Sequence, residues 1–348
     1  MDATTSAGTT STASTSAPTV SSTTAQTVSS TTAPTVSTST TVSTTAPTST
    51  PTVSVVMAVF NGERYLRSAA ESILSQSFGD FEFIVIDDGS TDGSRRILEE
   101  LSGRDGRLRV TSRANKGLTA TLNEGLSLAR GRYVARMDAD DLSLPDRFEK
   151  QVAFLDAHPE VVCVGSRIET IDPLDSPVDR PLHPLEHEQI DADLLKGIGW
   201  TIVHPAAMFR TEVVRRLGGY REQFRTSQDL DLWLRLAEVG RLANLPEVLL
   251  RYRQHFESVA STKADLQWQV KQTIVADAYR RRGLTPPEVW PFRKREPIPR
   301  LKQLELWTWS ALKAGNVSVA RAHARARLRM RPLSPRSWKL LLCAWRGR

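Results

Sequence analysis

From residue 54 onward the chain alternates between two hydrophobic registers. Short unbroken apolar runs are followed by longer stretches in which apolar residues recur every three or four positions. Ser54 to Phe60 (SVVMAVF) is unbroken, as expected of a parallel strand covered on both faces, and Asn61-Gly62 ends it. Tyr65, Leu66, Ala69, Ile73 and Leu74 then predict a helix that fades near Ser77. Phe81 to Ile86 predicts a second strand, closing on Asp87-Asp88-Gly89-Ser90. Ser90 or Thr91 can cap the next helix, whose buried face carries Ile97, Leu98 and Leu101. A short strand at Leu108 to Thr111, a turn at Asn115-Lys116-Gly117 and a helix marked by Leu118, Leu122, Leu126 and Ala129 follow. Arg132 to Met137 is the next strand, and it delivers Asp138-Ala139-Asp140-Asp141 at its carboxyl end.

Beyond Asp141 the pattern loosens. Arg147 to Ala157 predicts a helix and Val161 to Val164 a strand, while residues 170 to 190, rich in Pro, Asp and His, predict a surface loop able to close as a lid. His204-Pro205 opens an apolar run through Phe209, and a helix from Thr211 to Leu217 stops at Gly218-Gly219. Residues 228 to 239 form an amphipathic helix with Leu230, Trp233, Leu234 and Ala237 as its stripe. Val248 to Arg253 is the last predicted strand, and the remainder is helical with a break at Gly315-Asn316. Strand and helix alternating at these spacings imply an α/β fold with a mainly parallel, doubly wound sheet.

Composition changes this picture at both ends. Residues 3 to 50 hold no charged and no aromatic residue and predict a disordered Ser/Thr/Pro-rich tail over 1–51. Residues 279 to 348 hold eighteen Lys or Arg against Glu288, Glu296 and Glu305, a net of +15 in a chain of net +7. The excess therefore sits on a basic helical region, 257–348, read as a helical pair, rather than on the α/β body. That placement suits contact with the inner face of a membrane better than nucleic-acid binding. No apolar stretch reaches the eighteen residues of a membrane span. Cys163 and Cys343 show no metal-ligand spacing, which fits a reducing, cytoplasmic setting.

The candidate chemistry lies at the strand ends. Three carboxylates within four residues repel one another unless a cation sits among them, and hard oxygen ligands in small number suit Mg²⁺ or Mn²⁺ that also holds a phosphate-bearing ligand. Asp87-Asp88 ends a neighbouring strand on the same sheet edge, where Asp88 could accept from a nucleobase or ribose, or merely serve a tight turn. The glycine fingerprint of dinucleotide-binding folds is missing after the first strand, where Asn61-Gly62-Glu63-Arg64 stands, and no phosphate loop with its Lys-Ser/Thr is present.

SVVMAVFNGERYLRSAAESILSQSF, FEFIVIDDGSTDGS and NKGLTATLNEGLSLARGRYVARMDADDLSLPDRFEKQVAFL together resemble a bacterial glycosyltransferase of family 2 over residues 53 to 256. The resemblance implies a GT-A fold split into a nucleotide-sugar half (52–141) and an acceptor half (142–256). It also implies a nucleotide-diphosphate sugar donor, a glycan or lipid-linked glycan acceptor, Mn²⁺ or Mg²⁺, and inversion at the anomeric carbon. By the same resemblance Asp88 contacts the base, with Ala58, Phe60 and Glu63 lining the donor pocket. Ala58 and Phe60 depart from a frequent Pro and Tyr. Asp140 matches the metal-binding position, Asp138 is a ribose or metal contact, and His204 is a candidate third metal or phosphate ligand. Gln228-Asp229 stands where the family has Glu-Asp, making Asp229 the candidate general base and Asp231 the runner-up. Gln in place of Glu removes a neighbouring charge, so the pKa of Asp229 is expected to be less raised. A sugar-nucleotide pyrophosphorylase would need a Gly-rich segment after the first strand, and a non-catalytic adaptor would have no use for carboxylates on two strand ends.

Overall fold

A computed structural model describes residues 50–256, 264–290 and 298–347. The tail up to residue 49 lies outside the described residues, as do 257–263 and 291–297. The first half runs β1 (Val53–Val59), α1 (Glu63–Leu74), β2 (Phe81–Asp87), α2 (Ser94–Ser102), β3 (Leu108–Ser112), α3 (Leu118–Leu128) and β4 (Tyr133–Asp138). These four strands are parallel, in the order β3-β2-β1-β4. The chain winds outward from β1 to β3, and α3 then carries it back to β4 on the other side of β1. Ala58 pairs with Asp138 across that reversal, and open α/β sheets bind ligands at such a point.

The unbroken apolar runs are explained by burial on both faces. Val53, Val55, Met57 and Val59 of β1 join one core with Leu66, Ala69 and Ile73 of α1, while Val56 joins a second with Leu122 and Leu126 of α3. Gly125 lets α3 lie close on the sheet, since a Cβ there would sit 2.4 Å from Val56 Cγ1.

The second half adds β5 (Leu142–Ser143), α4 (Arg147–Ala157), β6 (Val161–Ile171), β7 (Pro177–Asp179), α5 (His187–Leu195), β8 (Met208–Arg210), α6 (Thr211–Arg216), α7 (Gln228–Ala237) and β9 (Arg241–Arg253). The sheet continues β4-β8-β6-β9-β5, with β7 on β6. β8 runs antiparallel to both its neighbours, β5 runs antiparallel to β9, and β6 and β9 are parallel, so the sheet is mixed. β6 and β9 are each much longer than their apolar segments suggest. Glu169 of β6 is buried yet paired with Arg180 at 2.7 Å and Arg251 at 3.0 Å. Asn244 of β9 donates to the carbonyls of Pro184 and Thr201. Residues 170–190 are built rather than loose: they contain β7 and lead into α5, with Asp172 Oδ1 accepting from the backbone N–H groups of Leu174 and Ser176.

The C-terminal region holds four described helices, not a pair. α8 (Ala264–Arg281) places Ile274, Val275 and Ala278 in the second core beside α7. α9 (Arg300–Lys313), α10 (Val317–Met330) and α11 (Pro335–Arg346) close around Ala311, Ala320, Ala324, Leu340 and Ala344. They are tied to the sheet by polar bridges: His323 Nε2 lies 2.8 Å from Asp172 Oδ2, and Asn316 Nδ2 donates to Ser176 Oγ at 2.8 Å. The Trp307 ring packs 4.8 Å from that of Phe256, just beyond β9. Among the described residues no helix is long and apolar enough to cross a membrane.

Candidate active site

Where β4 ends, the turn Asp138 to Asp141 brings three carboxylates together, with an oxygen from each within 4.8 Å of the others. β5 fixes the turn by pairing Leu142 with Arg251 and Ser143 with Leu250 of β9. Arg253 locks it further: its backbone N–H donates to Asp141 Oδ1 at 2.7 Å and its Nε donates to the Asp140 carbonyl at 2.7 Å. Buried Arg136 ion-pairs with Asp138 from below. Burial, with Asp140 and Asp138 adding to it, pushes the Asp141 carboxyl well above the usual carboxylate range. Asp138 is raised by burial too, with Arg136 opposing and Asp140 reinforcing the shift. The buried Oδ2 of Asp141 has no hydrogen-bond partner among the described residues. Crowded carboxylates that resist ionisation, one with an oxygen left over, form the donor set a hard divalent cation fits.

His255 touches this cluster at Asp140. Its Nε2 lies 2.8 Å from Asp140 Oδ2. No sequence motif singled it out, and its role depends on the strand pairing that brings the end of β9 beside the turn. His204 was a candidate metal or phosphate ligand or else a satisfied structural histidine. Its Nε2 meets the Tyr220 hydroxyl at 2.7 Å, its ring lies outside the carboxylate cluster, and burial together with the positive charge of Arg136 holds its pKa well below normal.

Asp138, Asp140 and Asp229 line one cavity of about 820 Å³, together with Trp200, His204 and Lys271. Asp229 lies in the first turn of α7, after Ser227 in the left-handed region at φ 56°. Its half-buried carboxyl is raised by burial, with a backbone hydrogen bond and the charge of Lys271 opposing. Burial supplies the raised pKa that replacing Glu with Gln228 was expected to weaken. Asp231, two residues on, faces away: it is fully buried, ion-paired with Arg221 and held by Arg235 at 2.9 Å. Trp233 is core, and Trp200 is 37% exposed with Tyr252 against its edge at 4.9 Å. No residue from 170 to 190 lines the cavity, so the lid expectation has no footing there.

Asp88 acts at one remove. Its buried carboxylate ion-pairs with Arg113 and accepts the backbone N–H groups of Lys116 at 2.8 Å and Gly117 at 2.9 Å, and it is Asn115, Lys116 and Gly117 that line the cavity. Gly89, at φ 79°, permits this packing, since a Cβ there would lie 2.9 Å from the Asn115 backbone nitrogen. Ala58, Phe60 and Glu63 are not among the lining residues. Phe60 is exposed at the end of β1, and Glu63 Oε2 accepts the N–H of Gly93 at the start of α2.

Comparison with known proteins bears on the family and the fold. The sequence model of Glycosyl transferase family 2 matches residues 54–218. EpsE of Bacillus subtilis (strain 168) is 39% identical over 230 residues, which cover 65% of this chain and 80% of EpsE. The chain belongs to glycosyl transferase family 2. Another relative, the O-antigen biosynthesis glycosyltransferase WbnJ of Escherichia coli, is 33% identical over 211 residues, covering 59% of this chain and 81% of its own. The crystal structure of S. aureus TarS 1–349 in complex with UDP-GlcNAc superposes with a TM-score of 0.52 over 84% of this chain and 89% of that one, at 17% identity. That likeness shows the fold, which is GT-A. As a family 2 member the chain is a glycosyltransferase, and the cavity at the sheet's reversal is its candidate active site.

Proposed function

We propose that the enzyme transfers a sugar from a nucleoside-diphosphate donor, a UDP-sugar, to a hydroxyl of a glycan or lipid-linked glycan with inversion at the anomeric carbon. The observation that carries this reading is that Asp138 and Asp140 of the carboxylate cluster line one cavity with Asp229. The UDP-GlcNAc held by TarS, a protein of the same fold, supports a uridine donor.

Asp138, Asp140, Asp141 and His255 are the residues that would hold Mn²⁺ or Mg²⁺, which when bound neutralises charge on a diphosphate. Arg136 orients Asp138, and Arg253 fixes the backbone of Asp140, so the cluster is set before any ligand arrives. Asp88 shapes the 113–117 loop that forms the donor-side wall. Asp229 takes the proton of the attacking acceptor hydroxyl; its raised pKa makes it a stronger base than an exposed carboxylate. Trp200 offers an indole face to the acceptor sugar. The cytoplasmic face of the plasma membrane, where a soluble donor can meet a lipid-linked acceptor, suits this chemistry.

A panel of UDP-, GDP- and TDP-sugars with Mn²⁺ tests the reading by thermal shift and by donor hydrolysis. A matched donor at a hundredfold excess over its Kd stabilises by about 2.7 kcal/mol. Absence of any response across the panel refutes the assignment.

A further inference from the structure

The C-terminal helices present a surface that the chemistry above does not use. Between residues 300 and 347 the chain carries eleven Lys or Arg and a single acid, Glu305. Glu305 is itself buried and taken by Arg336 at 2.7 Å. α11 turns Ser337, Leu340 and Ala344 inward. Its opposite face carries Trp338, Leu342 and Trp345, exposed to 56%, 51% and 56%. Spaced by four and three residues, they fall within about 60° of arc on a helix that turns about 100° per residue.

Basic side chains flank this apolar ridge. Lys339 and Arg346 are exposed on α11, and from α10 the guanidinium of Arg321 lies 4.8 Å and that of Arg325 6.0 Å from the centre of the Trp345 ring. Met330 at the end of α10 and Leu333 in the turn to α11 add to it, the latter 94% exposed. A folded protein seldom leaves so many large apolar groups in water along one edge without a partner for them.

We infer that this face of α11, with the preceding turn, docks on the surface of an anionic lipid bilayer. Indole rings and leucines enter the boundary between headgroups and acyl chains, while the flanking arginines and lysines meet lipid phosphates. Charge separates this occupant from the others. A symmetric dimer would set the same cationic patch against itself, like charge on like charge, because a twofold interface uses one surface twice. Nucleic acid satisfies the arginines but offers nothing to Leu333, Leu342 and Met330, which have no base plane to stack on. A bilayer answers both halves of the surface. The inference stands independently of the donor and acceptor chosen above.

The test is vesicle co-sedimentation of the full chain, with phosphatidylcholine alone or mixed with phosphatidylglycerol. Sedimentation with the anionic vesicles only, weakening as salt rises, is expected. Each basic residue near an anionic surface is worth about fivefold in binding, so Lys339→Gln with Arg346→Gln should cut partitioning roughly 25-fold. Trp338→Ser with Leu342→Ser and Trp345→Ser should abolish it at physiological salt. All five positions are exposed, so an unchanged Tm in each variant certifies the fold. Equal binding to both vesicle types, or sedimentation of the triple serine variant like the parent, overturns the inference. So does displacement of the chain from anionic vesicles by single-stranded RNA at lower phosphate concentration than the lipid itself supplies, which assigns the face to nucleic acid.

Discussion

Asp229 and Asp231 sit two residues apart on α7, and replacing each by Asn should produce opposite outcomes. The Asp229 carboxyl is half-buried and raised by that burial. A carboxylate whose folded-state pKa exceeds its unfolded value weakens the fold once pH climbs past the unfolded value, because the native site resists ionisation. Asp229→Asn removes that cost, so at neutral pH the variant should be as stable as the parent or more so. It also removes the proposed base, and general-base catalysis is worth about 10²–10⁴ in turnover, or roughly 2.7–5.4 kcal/mol of barrier. Asp231 carries no solvent exposure and is paired with Arg221 and Arg235. Losing one partner of a buried ion pair costs about 3–5 kcal/mol. At about 2 °C per kcal/mol for a domain of this size, Asp231→Asn should lower Tm by roughly 6–10 °C while the surviving folded enzyme turns over normally. Both variants are assayed for Tm by calorimetry, for donor binding by titration with a nucleoside diphosphate and Mn²⁺, and for kcat under saturating donor. Turnover of Asp229→Asn within threefold of the parent refutes the reasoning, as does a loss of activity in Asp231→Asn without a fall in Tm.

Two further substitutions probe the site and its support. His255→Ala should weaken Mn²⁺ binding at least tenfold in calorimetric titration, by about the amount that loss of a metal-site partner costs. His204→Ala should leave Mn²⁺ affinity unchanged and instead lower stability by about 1–3 kcal/mol, since the Tyr220 hydroxyl loses its buried partner. Gly125→Ala should destabilise by about 1–3 kcal/mol in urea titration through its clash with Val56, and Val56→Ala should recover part of that loss by opening the space.

The first half of the fold was legible because β1, β2 and β4 are buried on both faces, so they read as mostly apolar segments, and β2 and β4 end in aspartate. The later strands carry no such mark. β6 and β9 include Glu169 and Asn244, whose burial is made tolerable by partners elsewhere in the chain such as Arg251, Pro184 and Thr201, and a local pattern cannot report such partners. Strand-end placement pointed to the carboxylate cluster and the family motif to Asp229, and Asp138, Asp140 and Asp229 line one cavity. His255 was not, because it is a lone histidine whose value comes from a bond between Arg253 and Asp141, 112 residues apart. The histidine that did carry a motif, His204, proved to be committed to Tyr220. Asp88 was expected to meet the ligand; its carboxylate holds Arg113 and two backbone amides, a pairing across 25 to 29 residues, through α2 and β3, that only folding assembles.

The end of β9 is read from two sides at once. Arg253 and His255 grip the acidic turn, while Phe256, the next residue, stacks on Trp307 of α9, and Asp172, whose carbonyl accepts from Arg253, clasps His323 of α10. The C-terminal helices are therefore no detachable module. A chimera that swaps them for another family member's must carry 172–176 and 253–256 along as matched parts, or the graft will disturb the carboxylates although its junction lies nowhere near them in sequence.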